Sequence, residues 1–138
     1  MNYQNILRQW SPCAPYFHSL LRIVAAILFI FPGTMKLFAF PMGMPPDGST
    51  AILMSQIWFG GFLEIVGGGL MLIGLFTRPV AFILSGEMAV AYFQFHAPQG
   101  LLPIQNGGAE AILYCFLWFY FSAAGAGVWS VDNLIQKK

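Results

Sequence analysis

The sequence predicts an all-α integral membrane protein, a four-helix bundle forming one domain over residues 1–138. Three observations carry that prediction. The chain is 58% hydrophobic and only 8% charged, against roughly 25% charged for an average soluble domain, which is too little charge to cover a water-facing surface. Four apolar stretches have the length of membrane spans. The segments between them are rich in proline, glycine and small polar residues, as turns and loops are. The net charge of +1 comes without a basic patch and excludes nucleic acid as a partner. The partner that all four stretches call for is the lipid bilayer.

Residues 1–16 form a short polar tail containing Arg8 and broken by Pro12 and Pro15. The tail has no apolar core followed by an A-x-A site, so no cleaved signal peptide is expected and the first helix reads as a signal anchor. That helix is expected over about 17–40, where it spans roughly 36 Å. Pro32, with Gly33 beside it, allows a bend part-way. Arg22 lies near the start and is expected to snorkel toward the interface; Lys36 lies near the end. Residues 41–55 contain three prolines, two glycines and one acid and read as a loop.

The second helix is expected over about 56–76. Gly60, Glu64, Gly67, Met71 and Gly74 follow one another at steps of four, three, four and three, which places them on one helical stripe. Glycines on a membrane helix let a neighbouring backbone come close, and Gly68 adds to that surface. Glu64 is therefore expected to face packed protein, not lipid. Thr77-Arg78-Pro79 makes a turn, and Pro79 suits the first position of a third helix, expected over about 79–96 with Glu87 near its middle and His96 at its end. Residues 97–108 form the second large loop. The fourth helix is expected over about 109–126, with Glu110 in its first turn, where a carboxylate suits the positive helix end. A short amphipathic piece closes the chain.

Four spans put both termini on one side. Arg8, Arg78, Lys137 and Lys138 fall on that side, and the two long loops contain no Lys or Arg. Both termini are thus expected to be cytoplasmic. Trp10, Trp58 and Trp129 fall near helix ends, as interface anchors do, whereas Trp118 is expected to be buried.

Cys13 and Cys115 form no CxxC and are expected to be unrelated thiols, Cys115 packing as a small apolar side chain. No metal site and no resident cofactor are expected. His18 and His96 lie at opposite ends of the bundle and cannot share a haem. There is no GxGxxG, Walker, HExxH or nucleophile-elbow pattern. The glycines at 67–69 lie inside a membrane helix with no basic neighbour and read as packing.

The polar residues inside the spans carry the functional question. A charge at the bilayer centre costs about 2.5–3.5 kcal/mol on the insertion scale. Lys36 lies roughly 6–8 Å from the outer end of its helix, Glu64 about 12 Å and Glu87 about 13 Å, so the three share the middle and outer half of the membrane. Lys36 can pair with either acid. One reading is a buried ion pair that fixes helix register, with one acid protonated. The other is a polar cavity of Lys36, Glu64 and Glu87, with His96 and Glu110 nearby, that binds a small molecule or relays protons.

These residues resemble the DoxX-like membrane proteins along nearly the whole chain, from Arg22 to Asp132. Arg22 followed by FPGTMKLF is similar to the family's R…G..K pattern at Arg22, Gly33 and Lys36. FLEIVGGGLMLIGLFTRPVA is similar to its E..GG..L..GL.TR core at Glu64, Gly67, Gly68, Gly74, Leu75, Thr77 and Arg78. EMAVAYFQFHAP carries Met88, Ala91 and His96, and NGGAEAILY with GAGVWSVDN matches the last helix and the final glycine motif. Val128 stands where members often carry a basic residue, a departure that weakens any lipid-headgroup or anion contact there. The resemblance implies a four-helix bundle in the cytoplasmic membrane of a prokaryote. It also implies redox chemistry: some relatives are small subunits of a thiosulfate:quinone oxidoreductase, and others are linked to thiol and oxidative-stress systems. The expected role is a small membrane subunit or anchor of a quinone- or thiol-linked complex, with a soluble or membrane redox partner. The alternative is a non-enzymatic carrier of a small apolar ligand, or a scaffold. No catalytic residue is assigned.

Overall fold

The structure, a computed structural model, describes residues 10–137; Arg8 and Lys138, two of the four positive charges behind the expected topology, lie outside them. The described residues form five α-helices and no β-strand: α1 Ala14–Phe38, α2 Gln56–Ile73, α3 Thr77–Ala91, α4 Ala109–Ala124 and α5 Val131–Gln136. Ser11–Phe38, which contains α1, and Gln56–Ile73 are each long and apolar enough to cross a membrane.

Local chemistry sets the helix ends. The Ser55 hydroxyl caps α2 by accepting the Trp58 amide at 3.2 Å, as serine does at this position. α2 stops at Gly74, whose φ of 68° glycine adopts without strain. Gly74 N donates to the Met71 carbonyl and Leu75 N to the Leu70 carbonyl, which is the Schellman pattern. α3 begins at Thr77, two residues ahead of Pro79, which therefore occupies the third position of the first turn, where no intrahelical amide is needed. Beyond Ala91 the chain continues through a π-helical turn, Tyr92–His96. Pro32 inside α1 lacks the amide that would bond the Leu28 carbonyl.

Consecutive helices pack antiparallel, and the glycines decide how closely. A Cβ on Gly33 would stand 2.8 Å from the Gly61 carbonyl oxygen, and one on Gly68 2.7 Å from Ile30, so α1 and α2 meet backbone to backbone. Gly67 takes the Leu84 side chain of α3. Ser85 of α3 donates to the Cys115 carbonyl of α4 at 2.8 Å. Between α1 and α4 the filling is aromatic instead. Phe29 lies 4.9 Å from the Tyr114 ring and 5.3 Å from Trp118, centroid to centroid. Rings hold helices further apart than glycines do, so the α1–α4 side is the wide side of the molecule.

One end of the helices is locked by charges on exposed backbone. Arg22 does not snorkel; its side chain is fully buried. Its guanidinium donates to the carbonyls of Met71 and Leu72 at the end of α2 and to those of Ala126 and Trp129. Those of Leu72, Ala126 and Trp129 are orphan acceptors of a helix end and a tight turn, that of Met71 also takes the Gly74 amide, and a planar fork reaches several at once. Asp132 accepts the Phe76 and Thr77 amides at 2.8 and 2.9 Å, capping α3 from a distance. Arg78 donates to the Ser122 and Ala123 carbonyls at the end of α4, the favourable end for a cation.

Candidate functional site

The site begins with the Gly33–Gly61 contact. It draws α1 onto α2 so that Glu64 lies against Gly33 and Lys36 against Gly61, each 3.0 Å from where the glycine's Cβ would stand, and the long lysine stem spans the one turn that separates the two along the antiparallel pair. Lys36 Nζ lies 2.5 Å from Glu64 Oε1. The pairing that the sequence left open is thus with Glu64. The pair is unequal: the Lys36 side chain is 23% exposed and that of Glu64 only 3%. Glu64 Oε2 is buried with no hydrogen-bond partner. A carboxylate oxygen has room for two donors, so one half of Glu64 remains available.

This pair borders a cavity of about 150 Å³ on the wide side of the molecule. Phe29 and Pro32 of α1, Met88 and Ala91 of α3, and Ala111 and Tyr114 of α4 form its apolar and aromatic walls, and His96, Gly107 and Glu110 stand at the loop end. The wall residues fall on helical stripes: Phe29, Pro32 and Lys36 on α1, Glu110, Ala111 and Tyr114 on α4. The sequence reading missed Phe29 and Tyr114. The signal was present in their i, i+7 and i, i+4 spacing from Lys36 and Glu110.

The loop is fastened over the site. Asn106, 4% exposed, donates to the Gly100 carbonyl and accepts the Gly108 amide, both at 2.8 Å. Its own carbonyl oxygen lies 3.0 Å from His96 Nδ1. These bonds and the π-helical turn set the imidazole against the cavity. Glu110 is exposed in the first turn of α4, behind Gly108 as the helix cap.

Glu87 lies elsewhere. Its neighbour Met88 lines the cavity, whereas Glu87 points into the seam between α2 and α3, where a Cβ on Gly60 would stand 3.4 Å from its Oε1. Both of its carboxylate oxygens are buried without a partner. Arg78 and Gly74 belong to the opposite end, and Gly67 and Gly68 to the packing of α2 against α3 and α1. Among the described residues no group of three or more His, Cys, Asp or Glu side chains is arranged to hold a metal ion.

The arrangement joins an ammonium donor, a half-free carboxylate and a nearby imidazole to an aromatic slot. The family model for DoxX matches residues 17–97, more than half of the chain and the whole of the α1–α3 side of the site. The chain belongs to the DoxX family. A Haemophilus influenzae relative, an uncharacterized protein, is 49% identical over 127 residues, covering 90% of this chain and 94% of its own. A second H. influenzae relative, also an uncharacterized protein, is 29% identical over 101 residues, covering 72% of this chain and 62% of its own. No solved structure matches the chain.

Proposed function

We propose that this DoxX protein is a four-span protein of the prokaryotic inner membrane with both termini in the cytoplasm. We further propose that it serves as a small membrane subunit or anchor of a redox complex, taking a quinone ring beside Lys36 and Glu64. The outward faces of the helices support the membrane reading: Leu20, Leu28, Phe62, Phe82 and Phe116 are all exposed, an arrangement that water does not favour and lipid does. α4, with 16 residues, extends about 24 Å, short of the ~30 Å hydrocarbon core. Leu101 and Ile104 in the adjoining loop, 90% and 84% exposed, extend its apolar surface. Arg78 and Lys137 support the orientation, because the two long loops carry no Lys or Arg.

The single observation that carries the ligand reading is a buried carboxylate, paired on one oxygen and free on the other, at the edge of an aromatic cavity. A void of about 150 Å³ is enough for one six-membered ring. Phe29 and Tyr114 offer the ring its walls, Lys36 offers a donor, and Glu64 Oε2 offers an acceptor or a proton. A bound quinone would supply two-electron chemistry coupled to proton uptake. This chain's part would be to hold the ring, orient its oxygens and keep a proton within reach. Purification in native lipid followed by extraction tests this: co-purified quinone is expected, and it is expected to be lost in Glu64→Gln. Quinone-free protein, with respiratory electron transfer unchanged in a deletion strain, would overturn the redox role.

A second reading, a non-enzymatic carrier, draws on the same cavity: any small apolar ring with one polar substituent meets its walls equally well. It is preferred if Glu64→Gln alters binding of such a ring while leaving every redox rate unchanged.

A further inference from the structure

We infer that Glu64 is served from two sides, by a ligand from the α1–α4 cavity and by protons from a separate polar seam between α2 and α3 in which Glu87 is the proton-carrying group. The ligand half rests on the function proposed above. The proton half rests on geometry that the cavity does not use.

Glu87 is the centre of that geometry. It has two buried carboxylate oxygens and no hydrogen-bond partner, and it is turned away from the cavity that its neighbour Met88 lines. An ionised carboxylate buried without a partner is strongly disfavoured, so a group retained there is suited to gaining and losing a proton. The space beside it exists because residue 60 is glycine. Gln56, Gly60 and Glu64 succeed one another on one face of α2 at steps of about 6 Å. At the loop end of the same seam Gln56 Nε2 donates to Gln94 Oε1, and both residues are exposed. The seam therefore places an exposed amide pair, a residue without a side chain and Glu87 in order, with Glu64 one turn beyond Gly60 on the same face of α2. The charged groups acting on Glu87 are Glu64 from α2 and Lys36 from α1; Glu110 of α4 acts on Glu64 instead.

The transfer balances without a redox partner. The protonated Glu87 carboxyl passes its proton to Glu64 Oε2, by way of a water since the two carboxyls are not hydrogen-bonded to each other. Hydronium entering at the loop end reprotonates Glu87 and leaves as water, and Glu64 gives its proton to the ligand. Lys36 stays an ammonium on Oε1 throughout, and no electron moves. Separating the routes lets a ligand fill the cavity without blocking proton entry.

The test is hydrogen–deuterium exchange of carboxylic C=O bands by infrared spectroscopy, on the full chain in lipid nanodiscs moved from H₂O into D₂O. Wild type is expected to show an exchanging band that Glu87→Gln removes. Gly60→Leu, which fills the gap, is expected to slow that exchange about tenfold or more while co-purified quinone is kept. Ala111→Leu, which fills the cavity, is expected to lose quinone and leave the exchange rate as in wild type. Where Gly60→Leu does not fold, the double variant Gln56→Leu, Gln94→Leu at the exposed mouth decides, with the same slowing expected. Absence of any band that Glu87→Gln removes, or wild-type exchange in the seam variants, overturns the proton route. Equal slowing in Ala111→Leu overturns it too, because protons would then enter through the cavity. Absence of quinone from wild type, with the exchange pattern as expected, overturns the ligand reading alone.

Discussion

Lys36 and Glu64 are joined by one short contact, yet their removal is not equivalent. Lys36→Met leaves a carboxylate that is 2% exposed without its cation, and breaking a buried pair from that side costs about 3–5 kcal/mol. Glu64→Gln leaves an ammonium whose side chain is 23% exposed and able to turn toward water or the interface. The expected order of thermal stability in detergent is wild type, then Glu64→Gln, then Lys36→Met; the reverse order would mean that Glu64 has another partner. Asp47, in the loop ahead of α2, is a smaller case of the same chemistry. The Ser49 hydroxyl and amide hold its fully exposed carboxyl below the usual carboxylate range. A depressed folded-state value means that the turn is favoured above the ordinary carboxylate range and loses that support as pH falls through the folded value. Followed by carbon-detected NMR, the Asp47 titration should move up in Ser49→Ala and still lie below the usual carboxylate range, because the Ser49 amide bond remains; an unmoved titration would mean that the hydroxyl contributes nothing.

At the scale of elements, glycines and helix-end charges do the fixing. The glycines of α2 are not equivalent. A Cβ on Gly69 meets nothing within 4 Å, whereas one on Gly33 of α1 meets the Gly61 backbone at 2.8 Å. Gly69→Ala should therefore be neutral or stabilise by up to ~1 kcal/mol through helix propensity. Gly33→Ala should push α1 off α2, destabilise the chain and lengthen the Lys36–Glu64 contact; chemical denaturation of the two variants side by side checks the contrast. At the other end, Arg22→Met would strand the Leu72, Ala126 and Trp129 carbonyls, while that of Met71 keeps the Gly74 amide. Hydrogen bonds from a charged donor contribute about 1.5–3 kcal/mol each when buried, so the segment from Gly125 to Ser130 should become open to protease. Arg22→Lys should restore little of this, since one ammonium cannot reproduce the fork.

For the molecule as a whole, the proposed orientation makes a direct prediction. With cysteine introduced singly at Ser49 or at Lys137 in a chain whose own Cys13 and Cys115 are replaced, a membrane-impermeant thiol reagent applied to intact cells should label position 49 and not 137. A tryptophan placed at Leu101 should be quenched by brominated lipid if that loop extends the apolar surface as proposed. Quenching by an aqueous quencher instead would place the loop in water and leave α4 too short for its span.

Much of this protein is determined by local properties of the chain. Apolar composition, helical spacing and Pro–Gly turns mark the helices; charge scarcity marks lipid; and the i, i+4 and i, i+7 steps already place Gly60, Glu64 and Gly67 on one stripe, because helix geometry is a property of neighbouring residues. Three matters were decided only by the tertiary structure. Lys36 met Glu64 and not Glu87. Arg22, expected to reach for the interface, was drawn inward by four carbonyls from α2 and the turn after α4. Glu87 faced the α2–α3 seam and not the cavity beyond Met88. Each depends on how a helix is rotated about its axis and how closely it approaches its neighbours. That is set by where Gly33, Gly61, Gly67 and Gly68 let backbones touch and where Phe29 and Tyr114 hold them apart, and no spacing along a single helix contains it.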